Sequence, residues 1–174
     1  MKKLSSYEVA LSALACALAV LFEVVGAYSE LLLFTGYLLS AVALMLPLSR
    51  KCYKGYVLAY VGASALSLIF ASARFLEIIP FIVFFGLHPL VNELQLRSKI
   101  NTWVACFLKA IWFDLTMYLL WFFLFDGMMI NPLFNKYLIP IIFVAGTAFF
   151  VFYDYTMYRA RMIVNSLADR FLRK

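Results

Sequence analysis

The sequence predicts an all-α, polytopic membrane protein with six transmembrane helices, and three observations support this fold class. First, 66% of the 174 residues are hydrophobic and only 14% are charged, whereas a soluble domain has roughly 45–50% apolar and about 25% charged residues. Second, long apolar runs recur along the chain. Third, the basic residues concentrate in alternate connections between these runs. The composition excludes a soluble globule, a disordered chain and a disulfide scaffold.

Each apolar run is about as long as a membrane-spanning helix, which needs about 20 residues. The predicted spans cover residues 9–25, 31–48, 55–73, 75–92, 101–125 and 137–158. They are too evenly apolar for barrel strands, in which apolar and polar residues alternate. We therefore expect a single six-helix transmembrane domain over residues 1–174, with residues 159–174 as a basic cytoplasmic tail.

The positions of the lysines and arginines predict the orientation of this domain. Twelve of the 15 basic residues fall on one side of a six-span arrangement. They are Lys2, Lys3, Arg50, Lys51, Lys54, Arg97, Lys99, Arg159, Arg161, Arg170, Arg173 and Lys174. Because cytoplasmic loops carry an excess of Lys and Arg, both termini are predicted to be cytoplasmic. The same distribution explains the net charge of +6 without a nucleic-acid partner.

Common enzyme signatures are missing from the sequence, which contains no H-E-x-x-H, C-x-x-C or G-x-S-x-G motif. A single histidine cannot build a His-based metal centre within one chain. We therefore expect no enzyme, no catalytic residues, no cofactor and no metal. An intramembrane enzyme that uses His88, Lys109 and Asp114 is the weakest of the alternatives.

Charged residues near the predicted outer surface form the first candidate site. Arg74 and Glu77 lie one turn apart at the start of span four and can pair on one helix face. Glu23 and Glu30, seven residues apart, are expected to share a face near the outer end of span one. These residues indicate either an outward-facing polar site or a structural ion pair beside the lipid headgroups.

Span five carries the deepest charges. Asp114 shares a helix face with Tyr118, Trp121 and Phe125. Such a stripe is typical of a pocket wall for a flat or cationic small molecule, and the alternative is a helix contact in which Asp114 is hydrogen-bonded to a neighbour. Lys109 is expected either to meet His88 of span four or to extend towards the inner interface.

Two further segments are predicted to be irregular. Span four contains Pro80 and Pro89, which remove backbone hydrogen bonds, so a distortion is expected over residues 85–89. The longest outer connection, Phe125–Lys136, contains glycine, proline and two asparagines. It is predicted to be either a lid over a binding site or a simple connector.

Span one is rich in small residues. Ala13 and Ala17, and likewise Ala15 and Ala19, are spaced four apart and form small-xxx-small pairs. Small side chains allow a second helix to approach closely. The contact is predicted to be either internal or with a second membrane subunit.

Six short-looped spans, cytoplasmic termini and this alanine-rich first helix resemble the substrate-binding S components of energy-coupling factor transporters. The resemblance implies that the protein lies in the plasma membrane of a prokaryote. It implies docking of Ala13, Ala15, Ala17 and Ala19 on a transmembrane coupling subunit that joins ATPase subunits. It further implies capture of a small-molecule solute from the outer side, with Glu30, Arg74, Asp114, Trp121 and Asn131 as candidate contacts.

The leading hypothesis is therefore a substrate-capture subunit of an ATP-driven importer that binds a small vitamin-like solute. Its substrate-binding residues would be Glu30, Arg74, Glu77, Asp114, Tyr118, Trp121 and Asn131. The architecture also resembles that of the rod-shape protein MreD, so the alternative is a small membrane scaffold without a transported ligand.

Overall fold

The computed structural model describes residues 4–125 and 132–171, and within these residues the chain is mostly helical and contains no strand. The helices are α1 (Ser6–Tyr28), α2 (Leu33–Ser49), α3 (Tyr53–Phe70), α4 (Phe75–Pro80), α5 (His88–Arg97), α6 (Thr102–Phe125) and α7 (Pro132–Phe171). Short 3₁₀ turns cover Glu30–Leu32 and Ser72–Arg74, and a π-helical turn covers Phe81–Phe85 between α4 and α5. The all-α prediction is confirmed.

Four of the described helical segments are long and apolar enough to cross a membrane. They are Ser6–Tyr28, Tyr53–Phe70, the nearly continuous Ser72–Arg97, and Thr102–Leu120. Helix α2 is apolar but has 17 residues, and α7 has 40 residues. These long apolar helices indicate a membrane location.

Several boundaries differ from the predicted ones. Helix α1 ends at Tyr28 and Glu30 begins a separate 3₁₀ turn, so the prediction that Glu23 and Glu30 share one helix face is wrong. The predicted outer connection is shortened because α7 already begins at Pro132. The predicted basic tail continues α7 as helix as far as Phe171.

The structure divides into two compact units, and the first consists of residues 1–94 together with 157–174. Its centre is a close crossing of α1 and α2. A Cβ atom added to Gly36 would lie 2.8 Å from the carbonyl oxygen of Phe22 and 3.0 Å from the Cα of Gly26. The absence of a side chain at these two glycines therefore sets the distance between the helices.

A capping box begins α1 in the first unit. The Ser5 hydroxyl accepts a hydrogen bond from the Glu8 backbone N–H at 3.2 Å, and the Glu8 carboxylate accepts one from the Ser5 N–H at 2.7 Å. These two bonds satisfy N–H groups that every helix start leaves unpaired. The start of α1 is thus encoded locally.

The end of α7 packs against α2 and α5 in the same unit. Met157, Val164 and Ala168 are buried at helical spacing. Two guanidinium nitrogens of Arg161 donate to Glu93 Oε2 at 2.6 and 2.9 Å. Arg50 of the α2 end donates to the Ala168 carbonyl at 2.8 Å. This part of the helix is held by charges as well as by apolar contacts.

The second unit covers residues 95–156 and contains α6 and the first part of α7. Its described core centres on Phe113, whose ring lies 5.9 Å from that of Phe149 and 5.8 Å from that of Phe150. On either side of these aromatic contacts the two helices bring polar side chains together, Lys109 with Asp154 and Asp114 with Thr147.

Candidate functional site

The predicted pair at the α3–α4 turn is present in the first unit. Arg74 Nη1 lies 3.4 Å from Glu77 Oε1, and both side chains are about one-third exposed. The Tyr37 hydroxyl of α2 donates to the Glu77 backbone carbonyl, and its ring stacks on Phe85 at 4.8 Å. An aromatic residue of α2 therefore holds the backbone that carries Glu77.

A second acid of the first unit, Glu23, lies in the interior with 1% of its surface exposed. Neither of its carboxylate oxygens accepts a hydrogen bond from the described residues. The neighbouring Ser40 hydroxyl instead donates to the Ala19 carbonyl at 3.0 Å. A buried carboxyl group in this position has a high desolvation cost and is not explained by structural pairing.

The distorted part of the α4–α5 segment receives its missing donors from tyrosines. Pro80 and the π-helical turn disturb the regular backbone bonds. The Tyr60 hydroxyl donates to the Ile82 carbonyl at 2.6 Å, and the Tyr56 hydroxyl donates to the Gly86 carbonyl. Because an unpaired carbonyl in an apolar environment is costly, these two side chains stabilise the distortion. The predicted distortion exists, although it begins at Phe81 and not at Phe85.

Asp114 lies in the second unit with 3% of its surface exposed. Its Oδ2 accepts a hydrogen bond from the Thr147 hydroxyl of α7 at 2.7 Å. Its Oδ1 has no hydrogen-bond partner among the described residues. A Cβ atom added to Gly146 would lie 2.6 Å from this oxygen, so the glycine makes the space that Oδ1 occupies. One carboxylate oxygen thus serves a helix contact, and the other is buried without a hydrogen-bond partner among the described residues.

Two further charged residues of the second unit, Lys109 and Asp154, form an ion pair. Lys109 Nζ lies 2.7 Å from Asp154 Oδ1, and the two side chains are 6% and 21% exposed. The sequence analysis expects Lys109 to meet His88 or to extend towards the inner interface, and it does not predict Asp154 as the partner. His88 belongs to the first unit, where it is fully buried and its ring lies 5.4 Å from that of Phe84.

The alanines of α1 separate into two groups. Ala13 and Ala17 are exposed, whereas Ala15 and Ala19 are fully buried within the chain. Helical geometry explains the separation, because residues two apart lie on opposite sides of a helix. Ala15 and Ala19 therefore belong to the internal packing of the first unit.

The other predicted substrate contacts are Tyr118, Asn131, Glu30 and Trp121, and the structure describes the side chain of Tyr118. Tyr118 stacks on Phe122 with their ring centroids 6.3 Å apart. Asn131, and with it residues 126–131 of the predicted lid, lies outside the described residues. The side chains of Glu30 and Trp121 also lie outside them.

Sequence analysis does not identify the partners of Asp114 or of the carbonyls in the α4–α5 distortion. These partners are Thr147 and Gly146 of α7 and the hydroxyls of Tyr56 and Tyr60. A usable signal was present, since a threonine beside a glycine interrupts the apolar run of span six. Within residues 4–125 and 132–171, no group of three or more His, Cys, Asp or Glu side chains is placed to hold a metal ion.

The fold and these sites define an all-helical protein whose long apolar helices carry a small set of buried charges. Comparison with protein-family models, with curated proteins and with solved structures gives no match.

Proposed function

We propose that this chain is the substrate-capture subunit of an ATP-driven importer, with six membrane spans and both termini in the cytoplasm. It binds a small vitamin-like solute from the outer side and docks on a transmembrane coupling subunit through α1. The observation that carries the proposal is the buried Asp114 carboxylate, one oxygen of which has no partner among the described residues.

An acid inside an apolar helix is costly, and such residues are by default candidates for function. Thr147 satisfies Asp114 Oδ2 and fixes the orientation of the carboxylate. Oδ1 then remains as a positioned acceptor for an ammonium, amide or hydroxyl donor of a solute. Tyr118 follows one turn later on α6, so its ring is suited to contact a flat part of the same solute.

Arg74 and Glu77 of the first unit are also proposed as solute contacts, and the proposed topology puts both near the outer surface. Arg74 and Glu77 are partly exposed and present a paired positive and negative group. Glu30, Trp121 and Asn131 remain proposed contacts on the basis of the resemblance to S components. The lid over the site would be formed by the connection between α6 and α7.

The docking surface proposed on α1 is narrower than the full alanine pattern. Ala13 and Ala17 are exposed one turn apart, and the flanking Leu14 and Leu21 are 52% and 54% exposed. Small residues bordered by large apolar ones allow a partner helix to approach the backbone closely. Ala15 and Ala19 support this surface from inside the chain.

Capture is tested by the thermal stability of the purified full-length protein in the presence of individual vitamins and their precursors. A solute at 100 times its Kd stabilises the folded state by about 2.7 kcal/mol, which raises Tm by several degrees. Asp114→Asn should reduce this gain, whereas Thr116→Val, a change at another buried polar residue of α6, should retain it. If no solute raises Tm at saturating concentration, the protein is not a capture subunit.

The partner is tested by purification of the untagged neighbours that accompany the protein. Recovery of a membrane subunit together with ATPases supports the importer, and Ala13→Leu with Ala17→Leu should abolish that recovery. Ala65→Leu, at an exposed alanine of α3, is the matched control. Recovery of cell-wall machinery without ATPases would contradict the importer and favour the scaffold.

A further inference from the structure

A buried polar centre lies in the interior of the first unit, and we refer to it as the Glu23 centre. Its members are Glu23 of α1, Tyr37 and Ser40 of α2 and Ser67 of α3, which are 0–3% exposed. The two Glu23 carboxylate oxygens and the Ser67 hydroxyl have no hydrogen-bond partner among the described residues. A buried carboxylate is costly unless an opposite charge or a metal ion neutralises it.

Helices α1 and α3 lie side by side and point in the same direction. Near their starts, a Cβ atom on Gly55 would collide with the Ser12 hydroxyl, so the two residues are in close contact. At their ends, Ala27 and Ala71 belong to one buried cluster. Small side chains at both places allow the two backbones to approach closely. The register between α1 and α3 is therefore fixed at both ends.

This register brings Ser67 to the level of Glu23. Each of the two residues lies four positions, or one turn, before its alanine in the cluster and on the same helix face as that alanine. On the α2 side, Ser40 is next to Glu23, and its hydroxyl donates to the Ala19 carbonyl at 3.0 Å. The Ser40 oxygen keeps its lone pairs for a further ligand. Three helices therefore supply carboxylate and hydroxyl oxygens at one level.

We propose that the Glu23 centre binds a sodium ion. Carboxylate and hydroxyl oxygens are suitable ligands for a hard cation. The single carboxylate of the centre neutralises a monovalent ion, whereas a divalent ion would leave a net positive charge in an apolar interior. The close approach of α1 and α3 favours the smaller Na⁺ over K⁺. This inference goes beyond solute capture and applies equally to an importer subunit and to a scaffold.

Tyr37 connects the Glu23 centre with the surface of the first unit. Its side chain lies within electrostatic reach of both Glu23 and Glu77, and its hydroxyl donates to the Glu77 carbonyl. The Glu77 side chain is 29% exposed and lies 3.4 Å from Arg74, which is also partly exposed. A sodium ion that enters beside Glu77 therefore passes the Tyr37 hydroxyl on the way to the second, fully buried acid.

The test measures Tm of the purified full-length protein in detergent while NaCl replaces choline chloride at constant ionic strength and pH. We expect Tm of wild type to rise with Na⁺ concentration, because an ion that binds the folded state stabilises it, and to rise less with KCl. Glu23→Gln should abolish the rise with Na⁺. Glu8→Gln removes the same charge from an exposed position of α1 and should retain the rise.

Ser67→Ala keeps the carboxylate and therefore tests the ligand set even if Glu23→Gln does not fold. Loss of a supporting partner commonly weakens metal binding about 10–100-fold, so the midpoint of the Na⁺ titration should move to at least about tenfold higher concentration. Ser12→Ala is the matched control, because Ser12 is a buried serine of α1 whose hydroxyl donates to the Glu8 carbonyl at 2.7 Å. Its midpoint should equal that of wild type.

Three results would overturn the proposal. The first is an equal Tm of wild type in NaCl, KCl and choline chloride, which would mean that the Glu23 carboxyl group is simply neutral. The second is a Na⁺ response that survives in Glu23→Gln, which would place the ion elsewhere. The third is an equal midpoint for Ser67→Ala and Ser12→Ala. Because no solute is added, these outcomes are independent of the test of solute capture.

Discussion

Arg161 of α7 binds Glu93 of α5 through two guanidinium nitrogens that both donate to the same carboxylate oxygen, Oε2. Glu93 is 8% exposed at its side chain and Arg161 is 29% exposed. The bond therefore joins α5 and α7 through two residues that are 68 positions apart in the chain. Water reaches this pair only in part. It is a charged link between the end of α7 and the rest of the first unit.

Removal of the negative charge of this pair is expected to destabilise the protein. Glu93→Gln keeps the side-chain volume but leaves the Arg161 charge partly buried without its anion, which should cost about 2–4 kcal/mol. Asp169→Asn is the control, because Asp169 is 77% exposed and its Oδ1 lies as far as 4.0 Å from the Arg50 guanidinium. Such exposed ion pairs contribute little to stability. Thermal unfolding in one detergent measures both variants, and equal Tm values would contradict the structure.

The tyrosines that face the α4–α5 distortion give a second prediction. Tyr56→Phe removes the donor to the Gly86 carbonyl and Tyr60→Phe removes the donor to the Ile82 carbonyl. Each change should lower stability by about 0.5–2 kcal/mol, since a carbonyl then loses its partner in an apolar environment. Tyr28→Phe should have almost no effect, because the Tyr28 hydroxyl makes only an exposed 3.4 Å contact with the Phe70 carbonyl. Chemical denaturation of the three variants separates these outcomes.

Lys109 and Asp154 allow a double-mutant cycle within the second unit. Either Lys109→Met or Asp154→Asn alone leaves one partly or fully buried charge without its partner at 2.7 Å. The double variant removes both charges and should recover part of the loss, with a coupling of about 1–3 kcal/mol. Unfolding free energies of the four proteins give the coupling. Strictly additive losses would show that the two charges do not interact.

The α1–α2 crossing should not tolerate a methyl group. In Gly36→Ala the new Cβ would meet the Phe22 carbonyl oxygen at 2.8 Å, and because that oxygen belongs to the backbone the helices must separate. Such overpacking costs about 1–3 kcal/mol. Gly62→Ala is the comparison, since its Cβ would meet only the Cys16 sulfur, at 3.0 Å, which belongs to a movable side chain. A Tm of Gly36→Ala at or above that of wild type would contradict the crossing.

The sequence determined those features that depend on neighbours along the chain. The helices over the apolar runs follow from local hydropathy, which needs no knowledge of packing. The Arg74–Glu77 pair follows from a spacing of three along the chain, where the turn leads into α4. The distortion near Pro80 follows from the missing backbone N–H of proline.

The tertiary structure alone decided how each helix is rotated and which residues meet. A soluble helix shows its buried face as an apolar stripe, but these helices are apolar on nearly all sides, so hydropathy does not mark the inner face. For this reason the sequence could not separate the exposed Ala13 and Ala17 from the buried Ala15 and Ala19. The choice of Asp154 as the partner of Lys109, across 45 residues, likewise depends on the register between α6 and α7.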